Sequence, residues 1–289
     1  MLTKERIRRF LVCIMVMFIF FSLCGCGQQG NDGNIDNDEK PLPEELPKYG
    51  VFIGVDSDRL DVFADYDIVV IDAAYYTKEE IAQIHQKGTK VYSYLNIGSL
   101  EDFRDFYLDF KHLTLSIYDD WPGEYWIDVS DAGWQQHMYT EAGLLVEKGV
   151  DGFFIDNADV YYQYPTDKIF QGVVTILNRL NEYGKDLIIN GGDVFVTKAV
   201  IEPDSPVVKI TGVNQECVFT NIDFDNEKLI TQSEEDTKYY QEYLELVVEK
   251  GLVVYLLEYS SDDSLLPKII EYCDIHKFNY YVSSSIDLQ

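Results

Sequence analysis

Gly149-Val150-Asp151-Gly152-Phe153-Phe154-Ile155-Asp156-Asn157 packs three apolar residues between a glycine and an acid. A short apolar run of this kind suits a strand buried on both faces. An acid at its carboxyl end then stands at the mouth of a parallel sheet, where ligands bind in α/β folds. The pattern recurs on either side. Eight candidate strands follow one another: Tyr49–Val55, Ile68–Asp72, Val91–Asn96, Gly152–Asp156, Leu187–Asn190, Val213–Cys217, Val253–Glu258 and Tyr280–Ser284. Helical segments separate several of them. Thr77 can cap one that stops at Gly88, and Ser130 or Asp131 one that ends near Gly149. Others fit Asp167–Tyr183, Ser233–Lys250 and Ser264–His276. This alternation predicts a single α/β domain over residues 49–289, a (β/α)8 TIM-type barrel. Its longest insertion, about Ser99–Ile127, is aromatic as well as polar and follows the third strand.

The start of the chain stands apart. Residues 1–25 read as a signal peptide, with Lys4, Arg6, Arg8 and Arg9 ahead of the apolar stretch Phe10–Leu23. Leu23-Cys24-Gly25-Cys26 resembles a bacterial lipobox, which makes Cys26 the expected lipidation site. Residues 26–48 read as a flexible tether with almost nothing to bury. The expected location is therefore the cell envelope, outside the cytoplasm, with membrane attachment through the lipid alone. Net charge is −28, from 23 basic and 51 acidic residues. Such a charge argues against nucleic acid and anionic lipid headgroups as partners and suits a cationic one. Of the five cysteines only Cys217 and Cys273 fall in the domain, and two unpaired thiols are expected.

Polar residues collect at the predicted strand ends. Asp56 follows the first strand and Asp72 ends the second. Tyr92, Tyr94 and Asn96 mark the third, Asp156 and Asn157 the fourth, Asn190 the fifth. Glu216 lies in the sixth, Glu258 and Tyr259 end the seventh, and Ser283 to Ser285 the eighth. The four histidines all fall in helices or the insertion. A His-ligated zinc site is thus not expected, and no HExxH, Gly-x-Ser-x-Gly, GxGxxG or Walker pattern occurs. No metal or cofactor is called for. Gly191-Gly192 reads as a turn. Carboxylates working without a metal are the usual machinery of glycoside hydrolysis. Asp156 and Glu216, two strands apart, can face each other across the mouth. Tyrosines near the loops, among them Tyr75, Tyr76, Tyr161 and Tyr162, suit stacking on sugar rings.

Several segments, in order, resemble the endo-α-1,4-polygalactosaminidase family, glycoside hydrolase family 114. They are Tyr94-Leu95-Asn96-Ile97-Gly98-Ser99-Leu100-Glu101-Asp102-Phe103-Arg104, Trp121-Pro122-Gly123-Glu124-Tyr125-Trp126-Ile127-Asp128, the opening run, Asn190-Gly191 and Asn214-Gln215-Glu216. The resemblance implies a barrel that hydrolyses α-1,4-linked galactosamine polymers by an endo-acting, retaining mechanism. It makes Asp156 the nucleophile and Glu216 the general acid/base. It adds Glu101, Arg104, Trp126 and Asp128 to Asp72, Tyr94, Asn96, Asn157, Asn190, Glu258 and Tyr259 as expected substrate contacts. The family's usual Asp-Tyr after strand seven is Glu258-Tyr259 here. Two other readings compete: a carbohydrate-binding lipoprotein without activity on the same barrel, and a transporter's solute-binding lipoprotein. A single barrel lacks the two-lobed hinge of the latter. Oligomeric state is not legible.

Overall fold

The computed structural model describes residues 46–204 and 206–289. The expected signal peptide, Cys26 and the tether up to residue 45 lie outside these residues. Eight parallel strands form one sheet in sequence order: β1 (Tyr49–Val51), β2 (Ile68–Ile71), β3 (Lys90–Asn96), β4 (Gly152–Asp156), β5 (Asp186–Asn190), β6 (Gly212–Glu216), β7 (Val253–Tyr259) and β8 (Asn279–Ser283). The last strand packs against the first. Across that seam the Gly54 N–H donates to the Leu288 carbonyl at 3.1 Å. The sheet is thus a nearly closed barrel, as the strand count predicts. Each strand lies within a few residues of its expected place; β1 departs most, ending at Val51.

Five longer helices lie against the barrel: α1 (Lys78–His85), α2 (Ala132–Lys148), α3 (Asp167–Leu180), α4 (Glu234–Glu249) and α5 (Leu266–His276). Their ends follow local chemistry. Thr77 and Glu80 form a reciprocal capping box on α1. Asp131, not Ser130, caps α2 by accepting from the Gly133 and Trp134 N–H groups, and Gly149 ends it at φ 106°. The alternation is less regular than the sequence suggests. Only a 3-10 segment, Leu60–Asp65, follows β1. A short helix, Asp193–Val196, and one wide turn, Thr197–Ile201, follow β5.

Alternation along the strands sorts side chains into two layers. In β4, Phe154 joins Val70, Tyr92, Ile188 and Leu257 inside the barrel. Phe153 and Ile155 point outward into the layer beneath the helices. The opening run is therefore buried on both faces, and each of its fully buried phenylalanines stabilises the fold by about 2–3 kcal/mol. Asp156 shares the parity of Phe154 and so points inward at the mouth.

Two excursions rise from the carboxyl ends of strands. The predicted insertion is a three-stranded antiparallel sheet with Glu124–Ile127 between Ser99–Glu101 and Thr114–Ile117. A second, not anticipated, is the hairpin of Thr220–Asp223 and Lys228–Thr231 after β6. Trp121 of the first meets Phe224 of the second edge to face, ring centroids 5.6 Å apart. Cys217 and Cys273 are free thiols. Among the described residues no helix is long and apolar enough to cross a membrane.

Candidate active site

Asp156 closes β4 and Glu216 closes β6; between them β5 ends in Asn190. The Asn190 Nδ2 donates to Asp156 Oδ1 at 3.0 Å and to Glu216 Oε1 at 2.6 Å. Its own Oδ1 accepts from Asn214 Nδ2 at 2.7 Å, and Asn214 Oδ1 in turn accepts from the Tyr49 hydroxyl at 3.0 Å. This chain through the barrel interior fixes which end of the Asn190 amide faces the acids. The outer oxygens also have donors: Tyr94 OH reaches Asp156 Oδ2 at 3.0 Å, and Tyr259 OH reaches Glu216 Oε2 at 2.7 Å. One nitrogen bonded to both acids limits the gap between their nearest oxygens to about 5.6 Å, close to the ~5–5.5 Å typical of retaining glycosidases.

Burial raises both acids above the ordinary carboxylate range, against the pull of these donors. The Asp156 charge pushes Glu216 up further. The Asn157 N–H supplies Asp156 with an additional donor. The causes are asymmetric: Asp156 has three donors and no raising charge among its causes, whereas Glu216 has two donors and the raising charge of Asp156.

The other expected residues divide. Asp72 Oδ2 pairs with Arg104 at 2.8 Å, and Arg104 Nε pairs with Glu101 Oε2 at 2.5 Å. Glu101 Oε1 lies 3.3 Å from Tyr94 OH, so this ionic group reaches the pair through Tyr94. Asn96 and Asn157 stand beside Asp156, but both turn their amide nitrogens toward Ser99 Oγ and Glu124 Oε1. Asn157 takes φ 61°, a left-handed conformation that asparagine tolerates. The loop above it passes so close that a Cβ on Gly98 would collide with the Asn157 carbonyl.

Two expected substrate contacts, Trp126 and Glu258, are corrected, and a third, Asp128, lies apart from the pair. Trp126 is 4% exposed and stacks on Tyr118, leaving no free face for a sugar. Asp128 is held by Ser130 and by Lys168 at 2.8 Å, and it makes no contact with the pair. Glu258 is fully buried. It has the parity of Val254 and Leu256, which face the outer layer, rather than of Tyr255, Leu257 and Tyr259 inside. Its carboxylate accepts the N–H groups of Val218, Phe219 and Thr220 and the Thr220 hydroxyl. Burial pushes it up to about 7 against those donors. Glu258 therefore anchors the turn after Glu216. Gly191 and Gly192 do form a turn, at φ 59° and 64°, and the Gly192 N–H donates to Asp159.

Sequence reasoning missed Glu124, Asp159, Tyr118, Asn214 and Tyr49. Glu124 Oε1 accepts from Asn96, Ser99 and Asn157. Burial and the neighbouring Asp156 charge raise it to about 7, against its hydrogen bonds. Asp159 is likewise raised to about 7, by burial and then by Asp193 and Asp156. Tyr118 lies within the fields of Asp156, Asp159, Glu124 and Glu216, which with burial raise its phenol. Asp156, Asp159, Glu124 and Glu216 thus gather around the Tyr118 phenol. Glu124 and Asp159 sit in excursions or short turns, where no strand periodicity points to them. Among the described residues no cluster of three His, Cys, Asp or Glu side chains is arranged to hold a metal ion.

The family model for Glycoside-hydrolase family GH114 matches residues 43–285. A protein of Thermotoga maritima, itself uncharacterised, is 22% identical over 316 positions, covering 98% of this chain and 92% of its own. The glycoside hydrolase domain of PelA from Pseudomonas aeruginosa superposes with a TM-score of 0.71 at 15% identity, over 84% of this chain and 96% of that one. Aspergillus fumigatus Ega3, solved in complex with galactosamine, superposes with a TM-score of 0.63 at 20% identity, over 86% and 95%.

Proposed function

The chain belongs to glycoside-hydrolase family GH114 and is a glycosidase, and from that premise we propose that it cleaves α-1,4-linked galactosamine-containing polysaccharide by an endo-acting, retaining mechanism. The observation that carries this reading is the single Asn190 amide that bonds both Asp156 and Glu216. It holds one oxygen of each acid close to the other, which supports the retaining reading.

In this mechanism Asp156 attacks the anomeric carbon as its carboxylate. Tyr94, Asn190 and the Asn157 N–H favour that ionised form. Glu216 gives its proton to the departing glycosidic oxygen, for which burial and the Asp156 charge prepare it. Once Asp156 is esterified its charge is gone and Glu216 ionises more readily. It then takes a proton from the water that releases the sugar. Arg104, bound between Asp72 and Glu101, holds the Tyr94 side of the site.

Ega3 was solved with galactosamine; the same sugar suits the acid-rich mouth here. A lipid on Cys26 and a tether would place the barrel at the cell envelope, within reach of a polymer outside the membrane. Incubation with partly deacetylated α-1,4-galactosaminogalactan tests the reading. The expected products are oligosaccharides of mixed length that retain the anomeric configuration when first released. Release of single sugars only would remove endo action, and inverted product would remove the nucleophile role of Asp156.

A further inference from the structure

Glu124 is bound on one side only. Three side-chain donors, from Asn96, Ser99 and Asn157, converge on its Oε1, while no described group bonds Oε2. Two of those donors tie it to Asp156: Asn157 is the next residue, and Asn96 is its partner across the ladder. A carboxylate pinned through one oxygen presents the other in a fixed direction, which is how a binding group is pre-organised. The surroundings favour a cation there. Asp156, Glu216, Asp159 and Glu124 all act on the Tyr118 phenol. The nearby cation, Arg104, is already shared by Asp72 and Glu101. An ammonium group beside Glu124, which burial and the Asp156 charge raise to about 7, favours its ionised form, whereas a neutral sugar supplies no such counter-charge.

We propose that Glu124 is a specificity-determining residue whose free Oε2 accepts the ammonium group of an amino sugar bound beside Asp156. This inference rests on the glycosidase reading and adds the residue that tells a 2-amino sugar from its 2-hydroxy counterpart. Asn96, Ser99 and Asn157 act as positioning residues for Glu124. The Glu124→Gln variant keeps an acceptor for their three donors but replaces the charged oxygen by an amide.

Calorimetric binding in the Asp156→Asn background, where substrate stays intact, provides the test. The ligands are α-1,4-linked galactosamine oligomers and galactose oligomers of the same length. The Asp156→Asn protein should prefer the amino sugar, and adding Glu124→Gln should cut that preference roughly tenfold or more while leaving galactose affinity in place. Glu124→Asp, which keeps the charge but draws it back, should fall between. Equal weakening toward both ligands would mean a structural role and would overturn the proposal. So would an Asp156→Asn protein with no amino-sugar preference, a result that needs no Glu124 variant. Failure of the glycosidase reading looks different: the wild type would neither bind nor cut either polymer.

Discussion

At the scale of single residues, the site depends on which atoms donate to which oxygen. Asn190 serves both acids, so Asn190→Ala should lower kcat by about 10²–10³-fold, as loss of a preorganised donor does, and should also lower the melting temperature, because the buried Asn214 amide loses its acceptor. Steady-state kinetics and thermal denaturation check this together. Tyr259 favours the ionised form of Glu216 by donating to Oε2. Tyr259→Phe should therefore raise the Glu216 pKa. Since the acid must be protonated to act, the alkaline limb of the kcat/KM profile should move to higher pH; a shift downward would contradict the assignment. Asp156 and Asn190 were legible because each ends an apolar strand, and Glu216 because it lies in the sixth strand within the Asn214-Gln215-Glu216 segment. Glu124 was not: it lies on a short excursion strand, and its importance comes from three donors distant in sequence.

Elements explain the misreadings. Counting two by two from Tyr255 puts Glu258 on the outer face of β7, so the sequence held the signal that it cannot touch substrate. Its work is structural. Cys217 turns the chain at φ 59°, a conformation that disfavours a side chain by about 1–2 kcal/mol. The next three N–H groups close on the Glu258 carboxylate, which holds the turn in place. Glu258→Ala should leave those buried donors unsatisfied and destabilise the fold by about 3 kcal/mol or more, read by denaturant unfolding. It should also lower kcat, because Glu216 precedes the turn. Trp126 misled for the opposite reason. An aromatic residue in a polar insertion suggests an open sugar platform, but the insertion folds into a sheet that packs Leu100, Trp126 and Ile127 into the main core. The hairpin of Thr220–Asp223 and Lys228–Thr231 went unseen because its strands are four residues each, half polar and without a two-residue Asn-Gly or Asp-Gly turn.

For the whole molecule, eight strand-like runs with polar residues at or near their carboxyl ends, alternating with helical segments over about 240 residues, were enough to suggest the barrel. The same design concentrates carboxyls where water is scarce. Glu124, Asp159 and Glu258 are raised to about 7, so the folded chain holds protons that the unfolded chain has released. Their contribution to stability is complete below the unfolded carboxyl values, about 4, and is lost as pH rises through about 7. The melting temperature should accordingly be higher near pH ~5 than near pH ~8, and the overall charge of −28 acts in the same direction by repelling itself less as carboxyls protonate. A melting temperature that rises across this interval would refute the buried-carboxyl account. The central claim is that Asp156 and Glu216 form the catalytic pair. Its most direct test is the rate of release of reducing ends from deacetylated α-1,4-galactosamine polymer by the wild type, Asp156→Asn and Glu216→Gln. Each variant is expected to lose about 10³-fold or more in kcat while remaining folded; a folded variant with wild-type activity would contradict the claim.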